Sequence, residues 1–174
     1  MHIWEHPMPI AIRSDVKSGD IGYITYLHGT LYAKEYQLDC TFEGYVAESL
    51  ARFVLSFDAH KDRLWLAEMD GHIVGSIGIV GLLSSEAQLR WFLIHPACRG
   101  RGLGHALLRE ALQFCRDHEF TSVFLWTFSE LQAAAHLYRS VGFQKTEQKT
   151  HVIWGRMLTE ERYDLSLRQP NAEA

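Results

Sequence analysis

"HPACRGRGLGHALL", His95 to Leu108, is the stretch on which the reading of this chain turns. Gly100, Gly102 and Gly104 alternate with Arg99, Arg101 and Leu103, then give way to a helical pattern. A helix N-terminus presents unpaired N–H groups and the positive end of the helix dipole. Glycines leave the approach to those amides clear, and Arg99 and Arg101 can add charge-assisted hydrogen bonds to an anion. A Walker-type loop would need GxxxxGK(S/T), and no lysine follows these glycines. A dinucleotide fingerprint would need GxGxxG after the first strand of a βαβ unit, whereas the spacing here is GxGxG after a meander. A plain turn joining strand to helix explains the glycines but not the two arginines. A loop for the pyrophosphate of a coenzyme A thioester explains both.

Upstream, Pro9 to Ser14 alternates and reads as a first strand. Ile21, Ile24, Leu27 and Leu31 recur at helical spacing and predict an amphipathic helix from Asp20 to Tyr36. A second helix carries Phe42, Val46, Leu50, Phe53, Val54 and Phe57 on one side, with Thr41 or Asp39 as cap. "RLWLAEMDGHIVGSIGIVGL" reads as a hairpin turning on Asp70-Gly71. "AQLRWFLIHP" adds a third consecutive strand, closed by Pro96. Downstream, Leu103, Leu107, Ala111 and Phe114 mark a helix to about Glu119. "SVFLWTF" reads as a strand buried on both faces. Ser129 to Gln132 fits a capping box ahead of a short helix, Leu131 to Ser140, which Gly142 stops. Two more strand-like runs follow, and the tail beyond Tyr163 is expected to fray. The order β-α-α-β-β-β-α-β-α-β-β predicts one mixed α/β domain over residues 1–174.

The 174 residues are 47% hydrophobic and 22% charged, with net charge −4, so no basic field favours nucleic acid or an anionic membrane. No apolar run is long enough to span a bilayer, and the N-terminus lacks the pattern of a secretory signal. Cys40, Cys98 and Cys115, odd in number and scattered, predict reduced thiols in a cytoplasm. Ten histidines raise a metal site. His2 and His6 lie four apart, but no HExxH or paired CxxC supports a metal centre, so none is expected.

Arg99-Gly100-Arg101-Gly102-Leu103-Gly104 resembles the Arg/Gln-x-x-Gly-x-Gly/Ala signature of the GNAT superfamily of N-acetyltransferases. "FLIHP" before it is similar to that family's fourth strand, and "AAAHLYRSVGF", Ala133 to Phe143, to its later helix. The resemblance covers nearly the whole chain. The two motifs stand in the family's order, about thirty-five residues apart. The N-terminal helices further resemble acetyltransferase modules found fused to MarR-type DNA-binding domains, for which this chain has no room.

The resemblance implies a mostly antiparallel central sheet flanked by helices and splayed between its fourth and fifth strands. It implies acetyl-CoA as co-substrate, without a metal. The pantetheine arm would bond to backbone at Phe92, Leu93 and Ile94, and the pyrophosphate to amides from Arg99 through Gly104. Tyr138 matches the family tyrosine that protonates the departing thiolate. A phenol of pKa about 10 can donate to the anion of a thiol near 8.5. The alternative for Tyr138 is a core tyrosine packing helix on sheet. Ile94 N–H would serve as the oxyanion donor. Gln88 stands where many members carry an acid, so a base must come from elsewhere: Glu35, Glu43 or Glu86 through water, or solvent. Leu131 replaces a common asparagine, so the side-chain cofactor contact which that asparagine makes in the family is not expected here.

His28, Tyr32, Glu35 and Tyr36 share one helix face and form a candidate acceptor wall, or merely a half-exposed face. Arg90 alternates with Phe92 and Ile94 and is expected to point to their side, needing a partner such as a substrate carboxylate, Glu35 or Glu43. Cys98, beside Arg99 and near a helix N-terminus, could form a mixed disulfide with coenzyme A, or be an inert loop residue. The expected function is acetyl transfer to the primary amine of a small molecule such as an amino acid. Acetylation of a protein N-terminus or lysine, and a non-catalytic acetyl-CoA sensor, are the alternatives. Nothing in the sequence sets the oligomeric state, so a homodimer stays open.

Overall fold

The computed structural model describes residues 9–168. The elements run β1 (Ala11–Arg13), α1 (Asp20–Tyr36), α2 (Cys40–Leu55), β2 (Arg63–Met69), β3 (His72–Gly81), β4 (Glu86–Ile94), a 3-10 turn (Pro96–Cys98), α3 (Leu103–Asp117), β5 (Ser122–Phe128), α4 (Gln132–Ser140), β6 (Gln144–Ile153) and β7 (Arg156–Ser166). The described strands form a seven-stranded sheet in the order β1-β2-β3-β4-β5-β7-β6. All neighbours are antiparallel except β4 and β5. One face packs on α1 and α2 through Ile24, Leu27, Phe42, Leu50, Leu66 and Leu93. The other packs on α3 and α4 through Ile77, Leu89, Leu107, Leu125 and Phe143. The result is a three-layer α/β/α architecture with two apolar cores, one per sheet face.

Local chemistry accounts for most boundaries. Asp70 and Gly71 both take positive φ, 51° and 73°, as a tight hairpin turn between twisted strands requires. Asp39 caps α2 by accepting the Thr41 amide at 2.9 Å, so Thr41 is not the cap. Of the apolar residues assigned to the buried side of α2, Phe42, Val46, Leu50 and Phe53 are buried; Val54 and Phe57 are exposed, because the helix ends at Leu55 and leaves the sheet. At the end of α4, Phe143 N–H donates to Tyr138 O and Gly142 N–H to Arg139 O, with Gly142 at φ 102°, which is a Schellman stop.

Two expectations fail here for one reason: strand pairing reaches further than local pattern implies. The Ser129 amide is held on the β7 ladder by Thr159 O, and the cap position of α4 falls two residues later, at Leu131. Helix α4 begins at Gln132 behind Leu131, with no side-chain cap, and Gln132 Nε2 donates instead to Ser129 O. Likewise β7 continues past Tyr163 to Ser166 in register with β5, and Leu167 N–H donates to Thr121 O.

Candidate active site

Strands β4 and β5 pair only at Glu86–Ser122, Ala87–Val123 and Gln88–Phe124. Beyond Gln88 they diverge, and the wedge between them opens into a cavity of about 590 Å³ that reaches α1, α2, α4 and the loop before α3. The expected splay is therefore present, and it leaves one edge of β4 without a strand partner. His95 N–H donates to Val74 O, so by antiparallel alternation the N–H of Ile94 faces the opposite edge, into the wedge.

A bulge sets which side chains enter that wedge from β4. Ser76 pairs with Leu93 and Gly78 with Arg90, so two steps of β3 face three of β4. The extra residue is Trp91, at φ 48°, a strained conformation for a bulky side chain. Ser76 Oγ–H donates to Trp91 O at 2.6 Å, and Trp91 Nε1–H donates to Ser49 Oγ at 3.0 Å, which hold it there. The alternation reverses across Trp91. Phe92 and Ile94 turn toward the α3 side, whereas Arg90 faces α2, where Nη2 donates to Tyr45 Oη at 2.9 Å. The expectation that Arg90 shares a side with Phe92 and Ile94 is overturned by this one inserted residue.

The glycine loop has the geometry of an anion cradle. Six consecutive amides, Gly100 to His105, donate to no described protein atom, and α3 begins without a side-chain cap or an acidic residue in its first turn. Gly100 and Gly102 take φ 72° and 78°, which L side chains resist. Gly104 keeps the loop close to α4: a Cβ there would lie 3.1 Å from Leu137 Cδ2, which would have to move by a few tenths of an ångström. Among the described residues the Arg101 side chain makes one hydrogen bond, to Met69 Sδ at 3.8 Å, and no ion pair. Arg99 differs from expectation. Its guanidinium forks onto Glu35 at 2.7 and 2.9 Å, and its Nε donates to Ile94 O at 3.1 Å. The Arg99 side chain thus ties the loop to α1 rather than standing free for an anion.

His28, Tyr32, Glu35 and Tyr36, expected on one helix face, all line the cavity. This wall is aromatic, with Tyr32 stacked on Phe42 at 4.7 Å and Tyr36 edge-on to Phe128 at 5.3 Å. The β6–β7 hairpin closes it from above. Trp154, at the turn with φ 51°, packs on Phe42 and Tyr45 at 4.9 and 5.4 Å. Arg156 Nη1 donates to Tyr36 O at 2.6 Å and Nη2 to Glu130 at 2.7 Å. Sequence reasoning missed Tyr45, Trp91 and Trp154. Trp154-Gly155 is a turn signal, but nothing local says that the turn lands on α2.

Tyr138 is buried against Phe92, Phe143 and Tyr163, and it lines the cavity. Its hydroxyl makes no hydrogen bond to a described residue. Burial, reinforced by Tyr32 and Tyr163, pushes its pKa above the usual phenol value, so it stays protonated at neutral pH. The three candidate bases fare less well. Glu35 is neutralised by Arg99; Glu43 packs against Gly29, away from the cavity lining; Glu86 sits at the paired end of β4 with Arg162 at 3.3 Å. Cys98 is buried in the 3-10 turn and borders the cavity. His2 and His6 lie outside the described residues, and among the described residues no group of three or more His, Cys, Asp or Glu is placed to hold a metal. No helix among them is long and apolar enough to cross a membrane.

An anion cradle at the head of α3, a free β4 edge and a tyrosine thus meet around one cavity of an α/β fold. The sequence model of the acetyltransferase (GNAT) family matches residues 30–143, and the chain belongs to that family. It is 32% identical over 115 residues to human N-acetyltransferase 8B, covering 63% of this chain and 51% of that protein. It is 42% identical over 87 residues to rat N-acetyltransferase 8, covering 47% of this chain and 39% of that protein. The chain thus spans about half the length, or less, of these relatives. A Salmonella typhimurium structure described as an acetyltransferase with its cofactor acetyl-CoA has a TM-score of 0.72 at 20% identity, over 95% of this chain and 98% of that one. The Escherichia coli ribosomal-protein-S18-alanine N-acetyltransferase has a TM-score of 0.69 at 16% identity, over 95% and 99%. At these identities the likeness is one of fold.

Proposed function

We propose that the chain transfers an acetyl group from acetyl-CoA to the primary amine of a small molecule that carries a carboxylate, such as an amino acid. The observation that carries this reading is a single continuous cavity joining three features: the amides of the glycine loop, Tyr138, and an arginine without a counter-charge. Of the two arginines lining the cavity, Arg99 is paired with Glu35, whereas Arg90 has no carboxylate partner among the described residues. Its guanidinium lies over the rings of Tyr45 and Trp91, 5.6 and 5.0 Å from their centroids, which leaves its fork open to a carboxylate. The Trp154 lid over the wall supports a bounded pocket rather than the open groove a protein acceptor would use.

In this reading the amides of Gly100 to His105 hold the pyrophosphate, and the free edge at Phe92 to Ile94 aligns the pantetheine arm. Orientation of thioester against amine supplies much of the rate. The Ile94 amide meets the developing oxyanion, and Tyr138 donates its proton to the departing thiolate. Cys40, Cys98 and Cys115, all free, support a reducing, cytoplasmic setting.

Thiol release from acetyl-CoA, measured with phenylalanine, methionine and their carboxamides, tests the proposal. The free acids should be preferred by about tenfold or more, and Arg90→Gln should erase the preference, since a charge-assisted pair contributes roughly 1.5–3 kcal/mol. Equal turnover of acid and amide, or turnover confined to peptide N-termini, would remove the acceptor assignment.

A further inference from the structure

We infer that His28 is the proton acceptor of the acetyl transfer, a role that rests on the acetyltransferase reading above. The cavity offers no free carboxylate for the task. Gln88 cannot take a proton, and every carboxylate lining the cavity is already matched to a cation. Glu35 is held by Arg99 at 2.7 Å, Glu130 by Arg156 at 2.7 Å, and Glu160 by Lys149 at 3.4 Å and by His151. Of the cavity histidines, His105 is in the first turn of α3, beside the anion cradle, and His136 is on the exposed face of α4. His28 alone stands on the acceptor wall.

Its tautomer follows from one hydrogen bond. His28 is buried, with 3% of its surface exposed, and its Nδ1 lies 2.8 Å from Ile24 O. A carbonyl only accepts, so Nδ1 carries the hydrogen and Nε2 keeps its lone pair. Nε2 has no partner among the described residues, yet it is not sealed in protein, because His28 lines the cavity. The ring is stacked on Tyr32 at 5.8 Å, which fixes its plane on the same wall. Burial lowers its pKa to about 4, so Nε2 carries a free lone pair at neutral pH and, as a weak base, holds the proton only in passing.

The amine lone pair forms the C–N bond to the thioester carbon, whose carbonyl electrons move to oxygen. The nitrogen, now positive, passes one proton to His28 Nε2. The oxygen electrons return, the C–S bond breaks, and the sulfur takes the Tyr138 proton. Solvent afterwards carries the proton from His28 and restores that of Tyr138.

The test is His28→Gln and His28→Ala, assayed with acetyl-CoA and the amine that the wild type turns over fastest in the panel above. A glutamine side chain offers an acceptor oxygen but no basic nitrogen, so kcat of His28→Gln should fall about 100-fold, within the usual range for loss of a general base. Affinity for CoA by calorimetry should be unchanged, because the contacts of His28 are to Ile24 and Tyr32 on its own helix and not to the glycine loop. Imidazole added to His28→Ala should restore turnover, which a merely structural histidine would not allow. Full activity of His28→Gln, or a folded, CoA-binding His28→Ala that imidazole fails to rescue, overturns the assignment of His28 alone. Absence of turnover by the wild type with every amine would instead overturn the acetyltransferase reading and His28 with it.

Discussion

Gly78→Ala probes the bulge that arranges the whole wedge. A Cβ at position 78 would lie 2.6 Å from Cε3 and 2.9 Å from Cζ3 of Trp91, about 1 Å inside ordinary carbon contact. The indole cannot swing aside cheaply. Its Nε1–H is bonded to Ser49 Oγ, the Trp91 backbone carbonyl accepts from Ser76 Oγ, and Phe53 stands edge-on at 5.1 Å. Overpacking of this kind costs roughly 1–3 kcal/mol, of which the stiffer unfolded chain of alanine offsets about 0.4–1. The net loss of about 1–2 kcal/mol should lower Tm by roughly 2–8 °C in a domain of this size. Because Trp91 turns Arg90 to one face and Phe92 and Ile94 to the other, a shift of the bulge also misplaces the thioester, and kcat should drop by about 10- to 100-fold. Calorimetry and thiol release on Gly78→Ala, Trp91→Leu and the double variant separate the two. In the Trp91→Leu background the alanine should cost nothing further, a coupling on the order of 1 kcal/mol. An unchanged Tm for Gly78→Ala, or the same penalty in both backgrounds, would refute the argument from close approach.

Two further outcomes are expected. Tyr138→Phe should lower kcat by about 100-fold while leaving CoA affinity within about twofold, and removal of a phenol whose pKa is raised by burial should not move any basic limb of the rate profile below about pH 10. His28 should also make stability acid-sensitive. Its folded pKa of about 4 lies below the ordinary 6.5, so between these values the unfolded chain binds the extra proton and stability falls as pH drops, by about 3 kcal/mol in all. The Tyr32 ring stacked on it and the Ile24 carbonyl bonded to it do not titrate in that window. Urea midpoints at pH 7.5, 5.5 and 4.5 should converge between wild type and His28→Gln at acid pH; parallel curves would rule the effect out.

Much of this molecule is written in local pattern. Alternating glycines, arginines and a following apolar stripe specify an uncapped helix N-terminus, because φ preference and 3.6-residue periodicity are short-range properties. The same holds for the Asp70-Gly71 hairpin, the Gly142 stop and the face shared by His28, Tyr32, Glu35 and Tyr36. What the tertiary structure alone decided involves partners distant in sequence. The bulge at Trp91 is a mismatch between β3 and β4, and it reverses Arg90, which strict alternation places with Phe92 and Ile94. Arg99 reads locally as an anion ligand, yet it is satisfied by Glu35, 64 positions away. Trp154 reads as a turn residue until the hairpin folds onto α2 and covers the aromatic wall of the cavity. The proton acceptor was hidden for the same reason. Which carboxylates are already neutralised, and which histidine nitrogen is left with a lone pair, depends on charges and carbonyls brought together only when the chain is closed.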